Sequence, residues 1–140
     1  MFANLLASLN WLHVLVAAIA YFAIGAIWYS PVLFAKPWQK FVNVDMSNAN
    51  NKKGLGAIMF TSFILTFIIC FGLAIMYSII PVEGAFEATK FGLFFSVCFC
   101  ATGISISFIY EKRPLGLHLI DNFYHIIGFI AASIVLVLWK

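Results

Sequence analysis

Four apolar runs divide the sequence, at residues 9–30, 55–80, 88–110 and 115–139, each close to or above the roughly 20 residues that an α-helix needs to cross hydrocarbon. This length pattern restricts the backbone to helices. Where water is missing, a spanning segment must satisfy its own N–H and C=O groups, and a helix does so within itself. With 64% hydrophobic and 9% charged residues, against about 25% charged in soluble domains, the chain reads as a single all-α domain, 1–140, embedded in a lipid bilayer. The second run is long enough to demand tilt or to project beyond the hydrocarbon. The first lacks the basic flank of a signal peptide, because "MFANLLASLN" contains no Lys or Arg.

Charge placement sets the expected orientation. The 31–54 and 111–114 connections carry Lys36, Lys40, Lys52, Lys53, Lys112 and Arg113, while the opposite side carries Lys90 and Lys140 with Glu83 and Glu87. Basic loops stay on the cytoplasmic side, so both termini are expected outside. No basic run has the form of a nucleic-acid-binding arm. In the first connection, Leu33, Phe34, Pro37, Trp38, Phe41 and Val42 recur at helical spacing, with Lys36, Lys40 and Asn43 opposite. The pattern predicts a short amphipathic helix lying in the headgroup plane, anchored through Phe34, Lys36, Trp38 and Phe41.

Small residues fall at every fourth position on two spans: Ser62, Thr66, Cys70, Ala74 and Ser78, then Ala88, Gly92, Ser96 and Cys100, continued by Gly103 and Ser107. Such stripes let helix backbones approach closely, which drives association where hydrophobic burial cannot. A short connection joins the two spans, so the stripes are expected to face each other in a tight hairpin, the rival being an oligomer contact. The cysteines Cys70, Cys98 and Cys100 lie within apolar runs and read as small packing residues. The 16 phenylalanines need no cofactor box to explain them, and no cofactor is expected.

The fourth run holds the chemistry. His118, Asp121 and His125 are spaced i, i+3, i+7 and share one helix face, flanked by Asn122 and Tyr124. An aspartate in mid-span costs about 2.5–3.5 kcal/mol, less towards the interface, so Asp121 must find a partner or water. Trp28, Tyr29 and Ser30 match its depth, as do Glu111 and Arg113. A polar knot is expected there, with Asp121 accepting from Tyr29, Ser30, His125 or Arg113. His13 lies at the other end of the first span, on the order of 20 Å away in depth, so no mononuclear metal site is expected. No nucleophile has a base at usable spacing, and neither a phosphate loop nor an HExxH motif occurs; an enzyme is not expected.

These residues also carry a resemblance. Trp28-Tyr29-Ser30-Pro31 closes the first span; Phe34, Lys36 and Trp38 follow; Glu111, Arg113 and Pro114 form an acidic–basic–proline turn; Ile120, Asp121 and Tyr124 open the fourth span. The sequence resembles the small bacterial membrane family catalogued as domain of unknown function 1761, with Lys112 standing where a polar neutral residue is expected. The resemblance implies a four-span bacterial inner-membrane protein with a shared inner polar cluster, and it supplies no activity. Two functions are expected from the whole. One is a non-enzymatic subunit or scaffold, as a homo-oligomer or with other membrane subunits; the alternative is a small proton, ion or solute conductor using Asp121 and His125.

Overall fold

A computed structural model describes residues 2–139. Met1 and Lys140, the latter counted above among the charges of the sparsely basic side, lie outside the described residues. The chain is all-α. A short helix α1 (Phe2–Ser8) leads into α2 (Trp11–Trp28), the first span; α3 (Ala35–Val42) is the amphipathic helix; α4 (Leu55–Ile79) is the second span. The third span runs through α5 (Gly84–Phe95), a π-helical turn at Ser96–Ala101 and α6 (Thr102–Tyr110), and α7 (Leu115–Leu138) is the fourth. All four are long and apolar enough to cross a membrane.

Local chemistry explains the boundaries. The Asn10 side chain accepts from the backbone N–H groups of Leu12 and His13, so α2 starts with its first donors satisfied. The third span begins at Gly84, earlier than expected at residue 88, because Glu87 fits the first helical turn and pairs with Lys90 at 2.9 Å, where the helix dipole favours a carboxylate. The turn before α7 places Lys112 at φ +55°, a left-handed cap where Gly or Asn is the usual occupant. Arg113 N donates to Phe108 O at 2.9 Å to close it.

Two expectations about packing need correction. The second and third spans do not form the tight face-to-face hairpin. The main seams join the third span to the fourth, the first to the fourth, and the first to the second. Both stripes do turn inward in part: Thr66, Cys70, Ala74, Ala88, Gly92 and Ser96 are buried, Cys100 is half-buried, and Ser62 and Ser78 are exposed. Spacing identifies the close-packing face and not its partner. Here the partner of the third span is fixed by Gly92, where an added Cβ would come within 2.9 Å of Ile130 Cα and 2.8 Å of Ser133 Oγ.

The stripe also breaks. Gly103 and Ser107 are exposed, whereas Ala101, Ser105 and Phe108 turn inward. The π-helical turn inserts one extra residue into the helical repeat, so the inward phase steps by i+5 from Cys100 to Ser105. Hydroxyls bond to carbonyls around the turn: Ser96 Oγ donates to Leu93 O at 2.9 Å and Thr102 Oγ1 to Cys98 O at 2.8 Å.

The second correction concerns α3. Its lysines face outward as expected, and Pro37 sits harmlessly in the first turn. Its apolar face, however, docks on the protein rather than facing only lipid. Phe34 packs on Trp28 with ring centroids 4.6 Å apart, Trp38 meets Tyr29 at 5.9 Å, and the Phe41 ring occupies the space above Gly116. The turn at 29–35 explains this, since Phe34 N bonds Trp28 O and Ala35 N bonds Ser30 O, doubling the chain back over its own first span.

The first–fourth seam depends on another glycine. The Tyr21 ring lies where a Cβ on Gly128 would stand, and Val14, Ala17, Ala18, Ala132 and Leu136 complete the contact. Gly128→Val should therefore lower unfolding stability in mild detergent by about 1–3 kcal/mol through overpacking. Gly72→Ala, at a helical position where an added Cβ meets nothing within 4 Å beyond its own helix, should be neutral or stabilising by up to about 1 kcal/mol; equal losses in the two variants would overturn this assignment of the seam.

Candidate functional site

The polar residues of the fourth span meet the first span along one seam. Tyr29 ends α2 as its cap residue, with its backbone N–H on Gly25 O at 2.9 Å, which holds its side chain beside the start of α7. From there the Tyr29 hydroxyl donates to Asp121 Oδ1 at 2.7 Å. The Trp38 side chain, carried over by α3, lies against the same carboxylate. One residue before Tyr29, Trp28 Nε1 donates to Ile120 O at 3.0 Å. That carbonyl belongs to a continuing helix, so the indole adds a bond without breaking one.

Further along α7, His125 Nδ1 and the Tyr21 hydroxyl are 2.6 Å apart. Tyr124 fills the interval. Its ring centroid lies 5.6 Å from Tyr21, 5.3 Å from Tyr29 and 4.7 Å from His125. It can do so because Gly25 faces it, where a Cβ would come within 3.0 Å of the Tyr124 hydroxyl. The result is a ladder of alternating aromatic and ionisable groups, half-buried except for the fully buried Tyr21, between two antiparallel helices. Each of its bonds runs in low dielectric, where a satisfied polar group fixes register and an unsatisfied one costs heavily.

Several expected members stand apart. Ser30 shapes the turn through its carbonyl, which accepts from Leu33 N and Ala35 N, and makes no bond to Asp121. Arg113 does not reach Asp121 either: its Nε donates to Glu111 Oε2 at 2.8 Å, and both side chains are exposed. The two lie two residues apart across a tight turn, so each is the other's nearest opposite charge. His125 pairs with Tyr21, while Asp121 is engaged by Tyr29. His118 packs edge-on against Phe108 at 5.0 Å. Asn122 reaches a third helix, donating through Nδ2 to Ser105 Oγ at 2.9 Å, while its Oδ1 is buried with no partner among the described residues.

His13 stands at the far end, as its depth requires. It faces Asn10 Nδ2 at 3.0 Å and stacks on Trp139 at 5.0 Å. A cavity of about 400 Å³ opens there beside Asn10, His13, Tyr77 and Ser78. Between this end and the ladder lies Phe129, buried against Tyr21 at 5.9 Å, and beyond it Tyr77 donates to Ser133 at 2.7 Å. No group of three or more His, Cys, Asp or Glu able to hold a metal occurs among the described residues.

Sequence reasoning missed Tyr21, Ser105 and the Tyr77–Ser133 pair. A signal for Tyr21 was present. Tyr21, Gly25 and Trp28 are spaced i, i+4, i+7 on one face of the first span, and a mid-span tyrosine needs a partner for its hydroxyl.

The geometry sets a coupling test. A double-mutant cycle of Tyr29→Phe with Asp121→Ala should give about 0.6–1.7 kcal/mol, the span of interhelical hydrogen bonds in membranes. Arg113→Ala with Asp121→Ala should be additive within about 0.3–0.5 kcal/mol. Unfolding in mixed micelles measures both, and the reverse ranking would move Asp121 out of this seam.

Comparison with known proteins yields one family. Its model, described as "Protein of unknown function (DUF1761)", matches residues 12–137, from the start of the first span to the end of the fourth. No curated protein and no solved structure matches the chain significantly. The matched region takes in the whole first–fourth seam, α3 and the turn before α7, and on that extent the chain belongs to the DUF1761 family.

Proposed function

We propose that this chain is a non-enzymatic small subunit or scaffold of a membrane assembly, formed from copies of itself or with other membrane subunits. The observation that carries this reading is the exposure of the third span. Within its most apolar window 11% of residues are buried, against 39% for the fourth span. Its outer face presents the exposed rings of Phe94 and Phe99, then the exposed small and hydroxyl residues Cys98, Thr102, Gly103 and Ser107. Small and hydroxyl residues of this kind are the ones that let another helix approach.

The inner seam supports the same reading. Asp121 and His125 are engaged by Tyr29 and Tyr21, which suits them to holding two helices in register rather than to catalysis. Orientation follows the positive-inside rule. The Phe41–Gly116 contact gathers α3 and the 111–113 turn at one end, and with them Lys36, Lys40, Lys112 and Arg113; at the other end Lys90 is paired with Glu87. We place the basic end in the cytoplasm of a bacterium and both termini outside the inner membrane. The basic residues then serve the membrane surface and not a nucleic acid.

A second reading, a small proton, ion or solute conductor, is favoured by one observation: Asp121 and His125 both lie on the first–fourth seam, at whose far end the cavity opens. Phe129 interrupts that seam, which ranks this reading second.

The test is native mass spectrometry after mild-detergent extraction at native expression. A scaffold gives a defined complex, and Gly103→Leu should dissociate it while leaving the monomer folded. A monomer in both wild type and variant would overturn the reading. Proteoliposome flux that disappears in Asp121→Asn, with insertion unchanged, would establish the conductor in its place.

A further inference from the structure

The outward face of α3 takes no part in the polar ladder. Because Phe34, Trp38 and Phe41 are committed to Trp28, Tyr29 and Gly116, α3 is held in a fixed attitude with Lys36 and Lys40 exposed. The same Phe41–Gly116 contact sets α3 beside the start of α7, three residues after Arg113 and four after Lys112, which are also exposed. Two basic pairs from separate parts of the chain therefore flank one contact.

Little acid opposes them. The Glu111 carboxylate is taken by Arg113 Nε at 2.8 Å. Asp45 accepts from the Ser47 N–H at 2.8 Å, and its hydrogen bonds to Ser47 hold its carboxyl below the usual carboxylate range. Among the described residues neither Lys36, Lys40 nor Lys112 is in an ion pair. Immediately before α3, Val32 is 87% exposed and Leu33 44%, so an apolar step adjoins the basic face. Positive charge next to exposed aliphatic surface, at the end of a helix bundle of spanning length, is complementary to one available molecule: a phospholipid with net negative charge.

We propose that the surface formed by Lys36 and Lys40 of α3, together with Lys112 of the 111–113 turn, is a docking site for an anionic phospholipid headgroup, with Val32 and Leu33 against the acyl chains. The headgroup phosphate neutralises the lysines from the side opposite the protein contact. A docked lipid thereby holds α3 down over Asp121 and joins the membrane surface to the buried seam.

Full-length protein in mild detergent, titrated with phosphatidylglycerol or with phosphatidylcholine of the same acyl chains and read by native mass spectrometry, tests this. Phosphatidylglycerol should bind in preference to phosphatidylcholine. Each lysine near an anionic headgroup adds roughly fivefold in affinity, so Lys36→Ala with Lys40→Ala should weaken phosphatidylglycerol about 25-fold. Lys52→Ala with Lys53→Ala, the same charge change on the neighbouring loop, should leave it within about twofold, and Lys36→Arg with Lys40→Arg should retain it. Equal binding of the two lipids overturns the proposal, as does equal weakening by the two lysine pairs. Binding of soluble glycerol phosphate with the affinity of the lipid would also overturn it, by making the site one for a free anion.

Discussion

A hydroxyl donated from Tyr29 on the first span to Asp121 on the fourth constrains most of what surrounds it. In hydrocarbon, apolar side chains gain little by choosing one helix over another, and polar groups without partners are costly. The carboxylate therefore selects the neighbour of the fourth span, and the partner's position in the chain selects the register. The consequences extend both ways along the seam. Trp28 falls on Ile120 O, Tyr21 meets His125, and the glycines at 25 and 128 remove the Cβ atoms that would hold the tyrosines off. Polar pairing and steric relief are two halves of one arrangement, since Tyr21 could not lie against the fourth span, nor Tyr124 against the first, over a larger residue.

Around this pair the other two spans attach, the second also reaching the fourth where Tyr77 donates to Ser133. The second span closes on the first, and the third closes on the fourth through Gly92. The third span is the least enclosed of the four and the one with a π-helical turn. That turn has a structural effect beyond its six residues. It rotates the later half of the helix so that Ser105 and Phe108 meet Asn122 and His118, and it leaves Gly103 and Ser107 facing outward. A regular helix would have kept the stripe on one face and denied Asn122 its hydroxyl.

What the sequence revealed follows the range of the physics involved. Span positions depend on local composition and were legible to within a few residues, and α3 was legible from its lysine and aromatic spacing. The depth of His13, far from Asp121, followed from helix rise alone. Tyr29 as the donor to Asp121 was one of four named candidates, and depth matching could go no further. Choice of neighbour was not legible: Ala88, Gly92 and Ser96 mark a close-packing face equally well against the second span or the fourth. The π-helical turn carries no Pro or Gly to announce it, so its phase shift was hidden. Arg113 was drawn towards Asp121 by charge, although Glu111 lay nearer across the turn. The family resemblance, now matched over residues 12–137, pointed to the same two ends of the seam and named no activity for them.

Asp121 and Asp45 are the two aspartates of the chain, and Tyr29 is one of five tyrosines, so a selectively labelled sample gives a sparse spectrum. Magic-angle-spinning solid-state NMR on protein reconstituted in bilayers, with ¹³C-Tyr and ¹³C-Asp, can read the Tyr29 Cζ to Asp121 Cγ contact directly. The account predicts a strong through-space correlation that disappears in Tyr29→Phe and persists in Arg113→Ala. An assigned Asp121 Cγ with no correlation to Tyr29 would contradict it, because the neighbour and register of the fourth span would then be set by something else.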